Sequence, residues 1–312
     1  MNSDIERVLG EIRKVIKGKD DVILHTIMAI LVDGHILLDD IPGVGKTTLA
    51  VTLGKTLGLK YNRIQFTPDV LPSDIVGFSM YNKALNEFSY IPGAVNGVNI
   101  LLGDEINRTS SKTQSALLEA MEERQVTVDG KSYPLETPFV VIATQNNVGA
   151  AGTQLLPYAQ LDRFLIKLTI GYPDFDSQLE IIKDRQTDNP IDFVKPVLTA
   201  ANVLRMQHEV RNVTVSDEVL NYINRLVFAT REIENIEVGV SPRGAIALCS
   251  TAKAKAYISG RSYVVPEDVI DVFTLVCSHR IVLSQKARFS GVDSAVVLMQ
   301  AINNTPLPNP VK

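Results

Sequence analysis

A short apolar run, Ile36-Leu37-Leu38, passes through Asp39-Asp40-Ile41 into Pro42-Gly43-Val44-Gly45-Lys46-Thr47-Thr48 and then into helical periodicity as far as Leu57. This is the most restrictive stretch of the chain. A strand that empties through a glycine-rich turn into a helix aims backbone N–H groups at one point, where the helix dipole favours an anion. The side chains that follow are those a polyphosphate needs. Lys46 can reach β- and γ-phosphates, and the Thr47 hydroxyl can ligate Mg2+. Pro42, Gly43, Val44, Gly45, Lys46, Thr47 and Thr48 therefore form the candidate nucleotide-binding loop. The usual pattern also carries a glycine six positions before the lysine, and here that position is Asp40.

Four more β-rich runs follow, at 62–66, 98–102, 139–144 and 164–170, mostly separated by helical segments such as 112–123. Short, nearly all-apolar strands alternating with helices predict a five-stranded parallel sheet buried on both faces, an α/β fold. Ahead of it, Ser3-Asp4-Ile5-Glu6 reads as a capping box for a helix ending near Gly18, and a second helix runs from Asp20 to about Val32. Two regions break the rhythm. Residues 78–90 are strand-like around Asn82-Lys83, and residues 125–135 carry Asp129-Gly130, a hairpin signal. Beyond Pro190, helical segments begin near Thr199, Ser216, Ser241 and Pro266. At roughly 150 residues per domain, 312 residues suggest two units, 1–188 and an all-α 189–312. The tail, 303–312, has three prolines and is expected to be extended.

A second site element is Ile100-Leu101-Leu102-Gly103-Asp104-Glu105, an apolar strand ending in paired carboxylates, where ligands of open α/β sheets gather. Alternation along a strand sends neighbours to opposite faces, so the two acids are expected to have separate tasks. Asp104 suits a metal shell, and Glu105 suits the base that polarises a water. A third strand ends at Asn146, an amide able to orient that water. Leu161-Asp162-Arg163-Phe164 and Ser241-Pro242-Arg243-Gly244 each supply an arginine, the second just inside a helix start with Ser241 as N-cap.

Composition removes several alternatives. With 31 basic and 35 acidic residues the formal charge is −4, which counts against coating a nucleic acid. Cys249 and Cys277 have no metal-ligand spacing and no disulfide framework. The longest apolar stretch, 22–38, is broken by His25, Asp33 and His35, so no membrane insertion is expected. With no secretory pattern at the start, the expected compartment is the cytoplasm.

Taken together the motifs resemble those of the MoxR family of AAA+ ATPases. Gly43-Val44-Gly45-Lys46-Thr47 resembles its Walker A motif and Leu102-Gly103-Asp104-Glu105-Ile106-Asn107-Arg108 its Walker B. Arg63-Ile64-Gln65-Phe66-Thr67-Pro68-Asp69, the stretch from Lys112 to Met121, Ala143-Thr144-Gln145-Asn146 and Ala159-Gln160-Leu161-Asp162-Arg163-Phe164 are also similar to the family. The resemblance implies a P-loop AAA+ core followed by a helical lid. It also implies a helix-2 insert at about 74–93 and a pre-sensor hairpin at about 125–135, both projecting toward a ring pore or its face. By this resemblance Lys46, Thr47 and Asp104 hold ATP or ADP with Mg2+, Glu105 is the base and Asn146 is sensor 1. Arg163 is an arginine finger offered to a neighbouring subunit and Arg243 is sensor 2, with Arg108 a further candidate for a charge crossing between subunits.

The function so implied is an ATP-hydrolysing homo-oligomer, a hexamer, acting as a chaperone-like remodeller of a client protein carrying a von Willebrand factor A domain. Two other readings are a nucleic-acid-directed motor, for which Lys131 in the hairpin is a lone basic residue, and a nucleotide-sensing scaffold with little turnover. Two departures from the family pattern stand out: Tyr158 follows Pro157 where a glutamate is usual, and Asn147-Val148-Gly149 stands where a proline and acids are common.

Overall fold

The computed structural model describes residues 1–84, 86–145 and 156–308, so Asn146 and the 147–149 departure lie outside the described residues. In chain order the elements are α1 (Ser3–Ile12), α2 (Asp20–Leu31), β1 (Ile36–Asp39), α3 (Lys46–Leu57), β2 (Tyr61–Gln65) and α4 (Pro72–Val76). Then come β3 (Phe78–Asn82), β4 (Glu87–Ile91), β5 (Ile100–Asp104), α5 (Ser111–Glu123), β6 (Gln125–Val128), β7 (Lys131–Pro134) and β8 (Val140–Gln145). After α6 (Tyr158–Leu161), β9 (Ile166–Leu168) and α7 (Phe175–Asp184), the chain is mainly helical: α8 (Ala200–Arg211), α9 (Asp217–Ala229), β10 (Ile236–Val238) and α10 (Pro242–Ile258). It closes with α11 (Pro266–Cys277), β11 (Val282–Leu283), α12 (Gln285–Phe289) and α13 (Ser294–Asn304).

Five strands form one parallel sheet in the order β2-β5-β8-β1-β9. Its three central strands, β5, β8 and β1, are buried along their whole length, as their continuous apolar runs require. Period-two alternation divides their side chains between two cores. Ile36, Leu38, Ile100, Leu102, Val140 and Ile142 face one core, shared with α1, α2 and α3. Leu37, Leu101, Val141 and Ala143 face the other, shared with Phe66, Leu117 and Met121. The first core continues through α2 into α8, α9, α10 and α11. Helix α2 is therefore apolar nearly all round, which accounts for the long apolar stretch of the sequence. No helix among the described residues is long and apolar enough to cross a membrane.

The hairpin signal at Asp129-Gly130 forms the antiparallel pair β6 with β7, and the strand-like stretch around Asn82-Lys83 proves to be a second antiparallel pair, β3 with β4. Several details differ from the sequence reading. The N-cap of α1 is Asn2, whose side chain accepts from the Asp4 N–H at 3.0 Å, so Ser3 is already helical and the Ser3–Glu6 box does not form. The helix also stops at Ile12 instead of near Gly18. Tight i→i+3 bonds, Lys14 N–H to Glu11 and Val15 N–H to Ile12, close its end. The helical region carries a small antiparallel ribbon, β10 with β11, and α13 extends to Asn304, inside the stretch read as an extended tail. Between α7 and α8 the chain makes a 3-10 turn at Pro190–Phe193; the domain division read from the sequence falls just before it.

One buried side chain makes the fold sensitive to acid. His35 precedes β1; its Nδ1 accepts from the Val141 N–H at 2.9 Å and its Nε2 lies 3.0 Å from the Met121 carbonyl. A backbone N–H can only donate, so Nε2 carries the proton and the ring is neutral. Burial drives its pKa from 6.5 down to about 3. Between those values the unfolded chain binds a proton that the folded chain excludes, so stability rises with pH and is lost as pH falls. At pH 5 the expected loss from His35 is about 2 kcal/mol relative to pH 7. Buried His279, also held well below its ordinary value, adds in the same direction. Urea unfolding at pH 5 and pH 7 should show a smaller difference for His35→Gln than for the parent; equal differences would refute the assignment.

Candidate functional site

Strand β1 delivers the glycine-rich loop to the carboxyl edge of the sheet. Gly43 and Gly45 have φ of +85° and +93°, left-handed values that L side chains rarely adopt. A Cβ built on Gly43 would meet nothing within 4 Å, so the loop encloses open space on that side. Gly45 is the N-cap of α3 and supplies no side-chain cap, which leaves the first helical N–H groups for an anion. These observations fit a phosphate chain.

Asp40, the departure from the loop pattern, has a definite task. Its Oδ1 accepts from the Ile41 N–H at 2.8 Å, and its Oδ2 from the N–H groups of Ile170 at 2.5 Å and Gly171 at 2.8 Å. The carboxylate thus fastens the start of the loop to the chain leaving β9. The Asp40 carbonyl accepts from Lys46 Nζ at 2.7 Å. Burial lowers the Lys46 pKa, opposed by the nearby charges of Asp40, Asp104, Asp39 and Glu105.

The paired acids do not separate as strand alternation predicts. Asp104 is the last residue of β5, but Glu105 leaves the strand in the left-handed region at φ 59°, ψ 49°. Its N–H donates to Thr144 Oγ1 at 2.9 Å. That turn brings both carboxylates to one side, where two residues on the same face of β2 meet them. Arg63 Nε donates to Asp104 Oδ2 at 2.6 Å, and Gln65 Nε2 donates to Glu105 Oε2 at 3.2 Å. A non-glycine residue held there costs on the order of 1–3 kcal/mol, a conformation often retained at sites of function. Arg108 pairs with Glu105 of its own chain at 2.7 Å.

A cavity of about 330 Å3 gathers Lys46, Thr47, Arg63, Gln65, Asp104 and Glu105. No cluster of three His, Cys, Asp or Glu that could hold a metal occurs among the described residues. The donor set of one hydroxyl and one carboxylate, Thr47 and Asp104, still fits Mg2+, which commonly takes one or two protein ligands and completes its shell with phosphates and water. On the other side of the same glycines lies a mainly apolar cavity of about 380 Å3, lined by Val15, Ile16, Val22, Val44, Ile170 and Ile181 among others. Gly43, Gly45 and Thr48 border both cavities. A polar pocket and an apolar one joined at a phosphate loop suit the two ends of a nucleotide. The sequence reading missed the apolar half, because its walls come from the turn after α1, the chain after β9 and α7.

Arg163 and Arg243 are not among the residues lining either cavity. They converge elsewhere, on Glu122 near the end of α5. Arg163 Nε lies 3.1 Å from Glu122 Oε2, and Arg243 Nη2 lies 2.5 Å from Glu122 Oε1. All three line a separate cavity of about 280 Å3. The helix start at Arg243 is built as its sequence indicates, with Pro242 in the first turn and the Ser241 hydroxyl accepting from the Gly244 N–H.

Beneath these arginines sits Arg280, 1% exposed. Its Nε donates to Asp162 Oδ1 at 2.8 Å, and its terminal nitrogens donate to the carbonyls of Leu165 at 2.8 Å, Phe164 at 2.6 Å and Val276. The other Asp162 oxygen accepts from Ser241 Oγ at 3.1 Å. Burial pulls the Arg280 pKa down, and the adjacent Asp162 charge opposes this. A guanidinium so fully hydrogen-bonded can be tolerated in the interior, whereas loss of one partner strands the other. This network joins the residue before Arg163 to the cap of the helix bearing Arg243. Tyr158, where the family pattern has glutamate, donates its hydroxyl to the Arg280 carbonyl at 2.8 Å. Glu122 and Arg280 were not singled out from the sequence, and Thr144, like Arg63 and Gln65, was marked only within a stretch of family resemblance.

A family profile described as "ATPase family associated with various cellular activities (AAA)" matches residues 35–166, and the AAA lid domain profile matches residues 228–300. The chain is 45% identical to the uncharacterized protein YeaC of Bacillus subtilis, over 98% of this chain and 96% of that one. It is 38% identical to chaperone MoxR1 of Mycobacterium tuberculosis, over 97% of this chain and 82% of that one. A crystal structure of a candidate ATPase from Cytophaga hutchinsonii superposes with a TM-score of 0.91 at 39% identity, covering 98% and 95% of the two chains. Together with the glycine-rich loop, the paired acids and the helical region, these matches place the chain in the MoxR family of AAA+ ATPases, to which it belongs.

Proposed function

We propose that this chain is a Mg2+-dependent ATPase that works as a homo-oligomeric ring, a hexamer, and remodels a client protein. Residues 1–188 would act as the nucleotide-binding core and residues 189–312 as the lid. The observation that carries this reading is a division of labour in space. Lys46, Thr47, Asp104 and Glu105 share one cavity, while Arg163 and Arg243 stand together at another. A subunit so built holds its nucleotide with one surface and presents two arginines with a different one.

Lys46 and the N–H groups at the start of α3 bind the phosphates, and the apolar cavity takes the base. Thr47 and Asp104 would hold Mg2+, which would supply neutralisation of charge on the phosphate oxygens. Glu105 accepts a proton from the attacking water, which Asn146 helps to orient. The water oxygen bonds to the γ-phosphorus as the bond to the bridging oxygen breaks, and that electron pair leaves on ADP. Lys46 and the neighbour's Arg163 and Arg243 stabilise the charge that develops.

Two features support the client role. The relative from Mycobacterium tuberculosis is named a chaperone. The β3–β4 hairpin exposes Phe78, Met80, Tyr81 and Phe88 along its strands, the last at 71%, an apolar surface suited to gripping protein. A client with a von Willebrand factor A domain and a cytoplasmic setting complete the proposal, with no role for nucleic acid. The test is ATP turnover per protomer across a dilution series, with sedimentation at each concentration. Turnover should rise steeply where the ring assembles and vanish with EDTA. Constant turnover per protomer down to the monomer would overturn the reading.

A further inference from the structure

We infer that Glu122 is a positioning residue that holds Arg163 and Arg243 as one unit for the neighbouring subunit's nucleotide. The inference rests on the assignment of those arginines to the neighbour's site and adds the group that organises them. One carboxylate receives both guanidinium groups, one on each oxygen, at 3.1 Å and 2.5 Å. Neither guanidinium has another hydrogen bond or ion pair among the described residues. The three side chains are 32%, 46% and 38% exposed. Exposed ion pairs of this kind add little to folding stability. What the carboxylate does do is geometric. Two like charges brought this close repel, and the carboxylate between them offsets that repulsion.

The backbone is already prepared for this arrangement. Asp162, next to Arg163, and Ser241, the cap before Arg243, are hydrogen-bonded to each other and anchored by Arg280. That network sets where the two chains emerge but leaves the long side chains free to swing. Glu122, arriving from α5, removes that freedom at their tips. Arg243 spends one N–H on the carboxylate and Arg163 meets it as an ion pair through Nε, so each keeps most of its fork for phosphate oxygens. Without Glu122 both arginines must be ordered anew in each catalytic event, and misplacement of a catalytic group costs rate much more than affinity.

The experiment uses the full chain. Glu122→Ala should lower kcat for ATP by about tenfold to a hundredfold, with KM, retention of a fluorescent ATP analogue and ring assembly within twofold of the parent. Glu122→Gln, which keeps hydrogen bonds without charge, should fall between the two. A mixing assay locates the effect. Lys46→Ala subunits can offer arginines but not hydrolyse, and should restore turnover to Arg163→Ala subunits; Lys46→Ala/Glu122→Ala subunits should restore about a tenth as much or less. Wild-type kcat in Glu122→Ala, or equal rescue by both donors, overturns the inference. If Arg163→Ala and Arg243→Ala themselves keep parental turnover, the arginine assignment falls and this inference with it. If they lose turnover while Glu122→Ala does not, only the inference falls.

Discussion

Exchange of Glu105 for glutamine is expected to reduce steady-state ATP turnover by about 10²–10⁴-fold while nucleotide retention stays intact. The substitution keeps the shape of the side chain and removes its capacity to take a proton. The phosphate loop, Lys46 and Asp104 are untouched, so binding has no reason to fail. Two contacts alter: Gln65 now meets a neutral amide, and Arg108 loses its ion pair at 2.7 Å. Both are polar rearrangements at a half-exposed site and account for little of a change this large. The measurement is phosphate release in excess ATP and Mg2+, paired with retention of a fluorescent nucleotide. Turnover within threefold of the parent would remove Glu105 as the base. The same variant held in ATP should retain its client in a pull-down, because the cycle stops before release.

Removal of Arg163 carries an expected loss of comparable or greater size. An arginine delivered from outside the pocket contributes about 10³–10⁵ in kcat to phosphoryl transfer by stabilising charge on the transferred group. Arg163→Ala should therefore bind ATP and assemble but scarcely hydrolyse. The diagnostic result comes from mixing it with Lys46→Ala. Each protein alone is inactive for a different reason, one lacking the arginine and the other the phosphate lysine. Together they are expected to form interfaces in which an intact pocket faces an intact arginine, and turnover should reappear. If Arg163 served its own subunit, no mixture could restore activity. The placement of Arg163 beside Glu122, away from the Lys46 cavity, is the reason to expect rescue.

How much of this was legible beforehand depends on the range of the forces involved. Strands β1, β5 and β8 were readable because each opens on a short all-apolar run, Ile36–Leu38, Ile100–Leu102 and Val140–Ala143, which has few destinations other than the centre of a parallel sheet. The glycine-rich turn into α3 and the cap at Ser241 were readable because glycine, proline and N-cap preferences act within a few residues. The first helix was misjudged by one residue at its start, since Asn2 and Ser3 are both good caps and only the built helix decides between them. The small ribbon β10–β11 was missed because its strands, three and two residues long, leave no periodicity to detect.

The amino-acid order alone determined the class of fold, the glycine-rich turn between β1 and α3, an acid pair at the end of β5 and the expectation of arginines from a second region. All of these depend on covalent neighbours and on local backbone preference. Tertiary structure alone decided how those parts meet. It turned Glu105 to the same side as Asp104 through a left-handed residue, closed an apolar cavity from three distant segments and brought Arg163, Arg243 and Glu122 together over buried Arg280. Such meetings are set by packing between segments 39 to 121 residues apart in the contacts of Glu105 and Arg243, and no local preference encodes them.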